Sequence, residues 1–439
     1  GWAASPELME RFCPEFPSEW ILPYTTAAMT DTGDGILMAE KLFPLTGMNN
    51  VQDDDALKRG GDAPALFIRD ALNVDISPTG KLHLRKGGKL VTPLKFESLW
   101  QSPLHQDVFA IVDGELVKVN PRTWTFENLA FVGQNVRFEV INNLVYINGS
   151  RGLFSYNGFA VSPLTIDTPA SPLLQQDTNG TLKTGQYGIA ISWLRNGVES
   201  AVSAMAHIEL SGQSNYDQTS DLSINVTLPF CLDDTITDVA IYVTQRNGGE
   251  LYKFGTYPVS TNQVSIHEIS RLGKMAQFQH LSPMPSGKFM KYWNGRLITA
   301  DRNVIKFSEP MAYHLYDERH GYMMMPQRIT FIQPVDGGIW VGQTDHVVFL
   351  TGSQPKEMTY TRKSTQAPIY DSCMLVDADL VGDDVSQNSN AALWLAENGY
   401  VLGTATGQLI QYQAGKLQGI TANSSRSVRL GRRVTTIVT

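Results

Sequence analysis

The sequence has few cysteines and few charged side chains. Its three cysteines, Cys13, Cys231 and Cys373, lie far apart and form no Cys-x-x-Cys pair. This spacing argues against a disulfide scaffold and a zinc ribbon, and it favours a thiol-reducing compartment. Charged residues make up 18% of the chain, below the roughly 25% of an ordinary soluble protein.

Long apolar runs are also missing. No stretch approaches the roughly 18 apolar residues that a transmembrane helix needs. The N-terminus lacks the basic and apolar regions of a signal peptide. We therefore expect no membrane anchor, and a protein that is made and used without export of its own.

Turn-forming residues fill the place of the missing charges. The 439 residues include 37 glycines and 22 prolines, and 42% of the positions are hydrophobic. A chain of this length has room for about three domains of roughly 100 to 200 residues. The abundance of turn residues predicts an all-β protein.

Five segments share one pattern, in which a turn and an alternating apolar strand are followed by a second turn and strand. They are residues 106–121, 142–158, 294–310, 336–352 and 398–414. In the second segment Val145 and Ile147 alternate with Tyr146, as expected of a β-strand. Apart from one long gap, the spacing suits β-propeller blades of roughly 40 to 50 residues. A β-sandwich is the structural alternative, but it requires no recurring double-strand unit.

The long gap predicts an inserted module. Leu222, Ile224 and Val226 alternate with polar residues, as in a half-buried strand. About a hundred residues of this kind indicate an immunoglobulin or fibronectin-like sandwich. The predicted domains are an extended N-terminal arm (1–62), the first part of a β-propeller (63–175), the inserted sandwich (176–283) and the second part of the propeller with a basic C-terminal strand or tail (284–439).

The two ends of the chain carry opposite charges. Residues 1–62 contain 4 basic and 11 acidic side chains. Residues 403–439 contain no acid and five basic side chains, Lys416, Arg426, Arg429, Arg432 and Arg433. Such asymmetry suits complementary contacts between subunits, or nucleic-acid contact at the basic end, and solvated tails are the simpler alternative.

Candidate catalytic sets are incomplete. Asp31-Thr32-Gly33 copies an aspartic protease signature, but that mechanism needs two carboxylates, and Asp371-Ser372-Cys373 breaks the pattern. A glycosidase also needs a carboxylate pair, for which the sequence offers Glu309, Asp317 and Glu318 in a loop. Nucleophile elbows, phosphate loops and dinucleotide fingerprints are absent. We therefore predict no catalytic residues, no cofactor and no enzyme activity.

Metal and glycosylation motifs are equally weak. Asp53-Asp54-Asp55 lacks the spacing of a calcium loop, and adjacent His267 and Glu268 face opposite sides of a strand, so no metal site is predicted. Four sequons are interpreted as Asn-rich turns, because no secretion signal accompanies them: Asn148, Asn179, Asn225 and Asn423. The run Tyr322–Met325 is predicted to lie in a core or a subunit interface.

Two stretches resemble a family of virion proteins. Residues 65–95, beginning Ala65-LFIRDALNVDISPTGKLHLRKGG, are similar to the opening of many tailed-phage proteins. Residues 187–352 resemble the middle of the same proteins, with Tyr187-GIAISWLRNGVESAVS, Ile241-YVTQRNGGELYKF, Tyr292-WNGRLITADRNVIKFSEP and Ile329-TFIQPVDGGIWVGQTDHVVFLTG. The resemblance is to β-propeller tail proteins of short-tailed bacteriophages, the tail nozzle or tail hub.

That resemblance implies a structural role in the virion tail, with assembly in the host bacterial cytoplasm. Such proteins form rings, commonly homohexamers, that dock on portal and adaptor rings and on tail fibres or spikes. The ring lines a channel that retains phage DNA until ejection, without sequence-specific binding. A net charge of −8 suits this channel, since neutralising many phosphates would hold the DNA tightly.

A carbohydrate-binding or glycan-degrading tail propeller is the alternative. Sugar sites need exposed aromatic platforms beside carboxylates. The tryptophans Trp193, Trp293, Trp340 and Trp394 lie within strand patterns and are predicted to be buried.

Overall fold

The computed structural model describes residues 45–53, 57–59, 65–71, 74–77, 79–84, 90–212, 221–363, 365–377, 389–431 and 433–439. No α-helix occurs within these ranges, which contain β-strands, turns and a short 3-10 helix at Pro355–Glu357. The described part of the chain is all-β, as the composition predicts.

Five short strands come first. They are β1 (Leu45–Met48), β2 (Lys58–Arg59), β3 (Ala65–Ile68), β4 (Val74–Ile76) and β5 (Leu82–Leu84). Strand β3 pairs in parallel with β1 and antiparallel with β2, while β4 and β5 form a hairpin.

The predicted arm 1–62 therefore differs from the structure in its described part. Strands β1 and β2 belong to one sheet with β3, so a boundary at residue 62 would divide that sheet. The Asn50 amide nitrogens donate hydrogen bonds to the carbonyl oxygens of Lys416 and Gln418. These residues thus contact their own chain rather than standing away from it.

Two antiparallel sheets of four strands follow. Sheet I contains β6 (Glu97–Gln101), β7 (Val108–Val112), β8 (Glu115–Val119) and β9 (Phe126–Phe131). Sheet II contains β10 (Arg137–Ile141), β11 (Leu144–Gly149), β12 (Gly152–Tyr156) and β13 (Val161–Pro163).

The next eight strands form a two-sheet unit. They are β14 (Leu173–Leu182), β15 (Gly185–Arg195), β16 (Val198–Glu199), β17 (Ala206–Leu210), β18 (Leu222–Thr227), β19 (Asp238–Thr244), β20 (Leu251–Pro258) and β21 (Gln263–Ile266). Strands β14, β18 and β21 make one sheet, and the other five strands make the second. Ile224 and Val226 of the first sheet share one core with Ile189 and Ile241 of the second. The two sheets therefore bury a common apolar layer between them.

Three more sheets of four strands complete the main body. The pair β22 (Leu281–Pro283) and β26 (Leu315–Asp317) accompanies sheet III, which contains β23 (Phe289–Trp293), β24 (Arg296–Asp301), β25 (Val304–Phe307) and β27 (Tyr322–Met324). Sheet IV contains β28 (Ile329–Val335), β29 (Gly338–Gln343), β30 (Val347–Thr351) and β31 (Thr359–Lys363). Sheet V contains β32 (Met374–Val376), β33 (Ala391–Ala396), β34 (Gly399–Gly403) and β35 (Leu409–Gln411). A final hairpin joins β36 (Ser425–Leu430) and β37 (Arg433–Val438).

All five predicted hairpins are confirmed. Each forms an antiparallel pair, β7 with β8, β11 with β12, β24 with β25, β29 with β30, and β34 with β35. Asn142 and Asn143 both have positive φ angles, 47° and 67°, as a tight turn between twisted strands requires. In sheets I to IV the turn that opens each predicted segment joins the first and second strands. In sheet V this turn joins the second and third strands, because β32 precedes the repeated unit.

The five sheets pack against one another in chain order. Separate apolar cores lie between sheets I and II, II and III, III and IV, and IV and V. Trp340 of sheet IV donates a hydrogen bond from Nε1 to the carbonyl oxygen of Thr404 at 2.9 Å. All four tryptophans predicted to be buried are at most 6% exposed. The body is therefore a series of face-to-face sheets.

The C-terminal hairpin covers the far face of sheet V. Val434 packs beside Leu402, and the Tyr400 hydroxyl lies 2.8 Å from Oγ1 of Thr436. The opposite face carries Arg426, Arg433 and exposed apolar side chains. Those apolar residues are Val428, Leu430 and Ile437.

Candidate functional site

Two arginines share one carboxylate oxygen where distant parts of the chain meet. Nη2 of Arg137 lies 2.8 Å and Nη1 of Arg426 lies 2.9 Å from Oδ2 of Asp371. Arg137 begins β10, Asp371 precedes β32, and Arg426 lies in β36. The contact, which we name the arginine–aspartate cluster, therefore joins sheet II, sheet V and the C-terminal hairpin.

Backbone groups bring two further sheets to the same point. Nε of Arg137 donates a hydrogen bond to the carbonyl oxygen of Lys288 at 3.1 Å, just before β23. The Asp371 amide donates to the carbonyl oxygen of Thr330 in β28 at 3.0 Å. The Arg137 guanidinium also lies 5.6 Å from the ring centre of Phe289. The cluster thus marks where the first strands of sheets II, III and IV converge.

The electrostatics of the cluster leave an excess of positive charge. Burial lowers the pKa of Arg426 and the neighbouring charge of Arg137 lowers it further, while Asp371 and Tyr370 act in the opposite direction. One carboxylate thus serves two guanidinium groups. Ion pairs of this kind fix distant elements relative to one another, because removing one partner leaves a partly buried charge without compensation.

A second polar network lies between the two-sheet unit and the segment before β26. The Ser192 hydroxyl donates to Oε1 of Glu199 at 2.5 Å, and the Tyr242 hydroxyl donates to the same oxygen. Burial raises the pKa of Tyr242, and the hydrogen bond to Glu199 raises it further. Nε2 of His314 lies 2.9 Å from the backbone carbonyl oxygen of Glu199.

Burial favours the neutral form of His314. Burial lowers the pKa of the imidazole, the Glu199 carbonyl opposes this effect, and the charge of Arg195 adds to it. A neutral ring that donates from Nε2 satisfies the carbonyl oxygen. The network therefore ties the two-sheet unit to the main body.

A third arrangement has the order of a catalytic relay. Nδ1 of buried His346 lies 2.6 Å from Oδ1 of Asp345, and its Nε2 lies 2.9 Å from the Tyr360 hydroxyl. Acid, imidazole and hydroxyl in this order can activate a nucleophile. Here the side-chain Nε2 of Gln343 also lies 3.1 Å from Nε2 of His346. The side-chain Oε1 of Gln343 accepts a hydrogen bond from the backbone amide of Gln327. These contacts close the turn after β29 onto β31.

Sequence analysis missed both the relay and the arginine–aspartate cluster. Asp345 and His346 are neighbours in the sequence, but Tyr360 comes beside them only because β30 pairs with β31. Adding a third antiparallel strand to the predicted hairpin 336–352 would have placed Tyr360 near His346. No local signal joins Arg137 to Asp371, which are 234 residues apart.

The carboxylates considered as a glycosidase pair, Glu309, Asp317 and Glu318, lie in or beside β26. Burial raises the pKa of Asp317, but hydrogen bonds from Arg319 and His320 outweigh it and bring the pKa to about 2. Glu318 lies 3.5 Å from the hydroxyl of a tyrosine two residues earlier. The contacts of Asp317 are those of a turn, since Arg319 and His320 follow it directly.

Several other predicted candidates fall outside the described residues. Asp31-Thr32-Gly33, Asp54 and Asp55 are among them, while Asp53 is described and exposed. Nδ1 of His267 lies 3.1 Å from the backbone carbonyl oxygen of Asn179. Within the described ranges no three His, Cys, Asp or Glu side chains come together as metal ligands.

The sequons are not the predicted turns. Asn148, Asn179 and Asn225 all lie in strands, and only Asn423 lies outside one. The Asn148 side chain is buried, donates to the carbonyl oxygen of Gly287 at 2.6 Å and accepts from its amide at 3.0 Å. It joins sheet II to the chain before sheet III.

The Tyr322–Met325 run divides between core and surface. Met325 is buried in the core between sheets III and IV, whereas Tyr322 and Met324 are exposed. Burial raises the pKa of the Cys373 thiol. A raised pKa disfavours the thiolate, the form in which a cysteine reacts.

Comparisons with known proteins identify no family. No family model and no curated protein matches the sequence. Among solved structures, KlHsv2 with loop 6CD replaced by a Gly-Ser linker is 8% identical with a TM-score of 0.29, over 78% of this chain and 89% of that one. The extracellular domain of a hybrid two-component system from B. thetaiotaomicron is 11% identical with a TM-score of 0.29, over 75% and 36% of the two chains. BBS1N in complex with ARL6DN is 12% identical with a TM-score of 0.24, over 71% and 90%. In the part of the chain that the structure describes, no helix could span a membrane.

Proposed function

We propose that this chain is a structural protein of a tailed-phage virion. In this proposal it forms an oligomeric ring, the tail nozzle or hub, below the portal and adaptor. The ring continues the DNA channel, retains the packaged genome and docks tail fibres or spikes. The protein assembles in the host cytoplasm and acts in the tail without catalysing a reaction.

The observation that carries the proposal is the series of five sheets. Each sheet has four antiparallel strands, and each packs on the next in chain order. The blades of a β-propeller are likewise four-stranded sheets that pack on one another in chain order. We therefore interpret the body as a propeller and the two-sheet unit of residues 173–266 as a sandwich inserted between its second and third blades. The predicted boundaries at 176 and 283 cut into β14 and include β22 of the body.

The polar clusters support a rigid scaffold. The arginine–aspartate cluster joins sheets whose residues lie 234 positions apart. Glu199 and His314 join the inserted unit to the body. Such ties stiffen the molecule, as a ring component that resists internal DNA pressure requires.

The cluster also bears on where the DNA passes. Arg137 and Asp371 meet where the first strands of the blades converge, and this would close the centre of a single propeller. The channel in our proposal therefore lies between subunits of the ring and not through one propeller. A net charge of −8 on the chain disfavours tight binding to the DNA phosphates.

Reconstitution with the neighbouring rings tests this function. Purified protein is incubated with portal and adaptor rings and examined by size-exclusion chromatography. Co-elution with the adaptor-bound portal is the expected result. Absence of binding together with cleavage of a bacterial polysaccharide would replace the structural role with a glycan-degrading one.

A further inference from the structure

The inserted unit carries two prominent apolar side chains on one loop. Phe230 is 86% exposed and Leu232 is 88% exposed, and both lie in the connection between β18 and β19. Leu173, 74% exposed, lies at the beginning of β14, where it pairs with Thr227 close to this loop. A scattered exposed leucine needs no explanation, but neighbouring large apolar side chains mark an interaction site.

The loop is held rigidly at its base. Asp233 accepts hydrogen bonds from the Thr235 amide at 2.9 Å and from Nη2 of Arg195 at 2.7 Å. Arg195 also donates to the carbonyl oxygen of Pro163. The phenyl and isobutyl groups therefore project from a fixed backbone, which reduces the entropy lost on binding.

A complementary surface lies on the C-terminal hairpin. Its outer face presents Val428, Leu430 and Ile437, which are 47%, 66% and 61% exposed, next to exposed Arg433. The loop carries exposed Asp234 beside its apolar residues, whereas Asp233 is paired with Arg195 within the chain. Two apolar surfaces can bury each other on contact, and opposite charges at their edges fix how they align.

We propose that the Phe230–Leu232 loop of one copy docks on the outer hairpin face of the next copy. Both surfaces are exposed within a single chain, so neither covers the other. Contact between two different patches is heterologous, and heterologous contacts build closed rings when the rotation closes. The inference rests on the ring assembly proposed above and supplies its subunit contact.

Two variants of the full chain test the contact, each altering one surface. The loop variant is Phe230→Asp with Leu232→Asp, and the hairpin variant is Leu430→Asp with Arg433→Glu. Phe159→Asp is the matched control, because Phe159 is 92% exposed on the turn between β12 and β13. Circular dichroism during heating shows whether each variant keeps the wild-type fold. Mass photometry and sedimentation velocity give the oligomeric state.

The proposal predicts that the control assembles as the wild type does, whereas each variant alone is monomeric. A mixture of the two variants must then form dimers and nothing larger. Such a pair has one intact loop facing one intact hairpin, and its other two surfaces are both altered. A contact between the same loop of two copies would instead leave the hairpin variant assembled by itself.

A charge exchange gives an independent readout. Asp234→Arg and Arg433→Asp should each weaken self-association at least tenfold at low salt, and the double variant should recover it. Wild-type assembly in either apolar variant, a monomeric mixture or a monomeric wild type would overturn the contact. So would a hairpin variant that loses adaptor binding while self-association is unchanged. Failure of the wild type to bind portal and adaptor would instead refute the proposed function, and the two failures are therefore distinguishable.

Discussion

At the scale of single residues, Asp371 has the largest structural role that the sequence does not reveal. Its Oδ2 atom receives both Arg137 and Arg426, and its side chain is 15% exposed. Hydrogen bonds to charged groups contribute about 1.5 to 3 kcal/mol each when partly buried. One carboxylate thus links β10, the chain before β32, and β36.

Asp371→Asn should therefore lower the free energy of unfolding by about 2 to 3 kcal/mol, since two guanidinium groups lose their counter-charge. Asp377→Asn is the matched control, because Asp377 pairs with Arg429 but its side chain is 65% exposed. An exposed pair contributes less than about 1 kcal/mol. Urea unfolding measures both, and equal losses would contradict the role of the cluster.

Two of the C-terminal arginines already have acidic partners within the chain, so reversing their charge also disturbs the fold. Arg426 pairs with Asp371 and Arg429 with Asp377 inside the chain. The sequence-based expectation treated these side chains as available for other subunits. Replacement of either by Glu should lower the melting temperature, whereas Arg433→Glu, on the outer face, should leave it within a few degrees in a thermal scan.

His314 makes the junction between the inserted unit and the body sensitive to pH. Its pKa is lowered in the folded state, so its contribution to stability is present above the unfolded value of about 6.5 and is lost as pH falls below it. His314→Gln keeps a donor for the Glu199 carbonyl but cannot titrate. Between pH 7 and pH 5 the unfolding free energy of the wild type should fall more than that of the variant. A difference between the two that stays constant over this range would contradict the role of His314.

At the scale of elements, the sequence predicted the hairpins but not the complete sheets. Turns such as Asn142-Asn143 and alternating strands such as Leu144–Gly149 carry strong local signals. The outer strand Thr359–Lys363 has mainly exposed polar residues, and Val161–Pro163 has three residues. Neither gives a periodic pattern, and both are fixed by pairing with a neighbouring strand.

Glycines at sheet interfaces are a further element-scale feature. A Cβ atom on Gly403 would lie 2.4 Å from Cε2 of Trp340, between sheets IV and V. Gly403→Ala should destabilise the protein by about 1 to 3 kcal/mol through overpacking. A Cβ on Gly249 would meet nothing within 4 Å, so Gly249→Ala is the control. Equal melting temperatures for the two variants would contradict close packing of these sheets.

At the scale of the whole molecule, the N-terminal region is where sequence and structure differ most. Strand β1 lies within the predicted arm and pairs with β3, while Asn50 is bonded to Lys416 and Gln418. Local patterns could not predict this, because parallel pairing and contacts across 368 residues leave no periodic signal. The composition shows that residues 1–62 are acidic, but it carries no sign that β1 and β2 pair with β3.

Two deletions separate the arm from the sheet. Removal of residues 1–44 leaves the sequences of β1 and β2 in the chain and sets the reference melting temperature. Removal of residues 1–62 also takes away both strands and the Asn50 hydrogen bonds, so it should lower the melting temperature further. Equal melting temperatures for the two chains would mean that the N-terminal sheet adds nothing to the fold.

In the proposed function this chain assembles into a ring that continues a DNA channel. Electron microscopy of the purified protein, alone and with portal and adaptor rings, tests this assembly. We expect rings that stack coaxially on the adaptor, with an opening between the subunits that is wide enough for duplex DNA. Single particles that stay monomeric in the presence of both rings, or rings without a central opening, would contradict it.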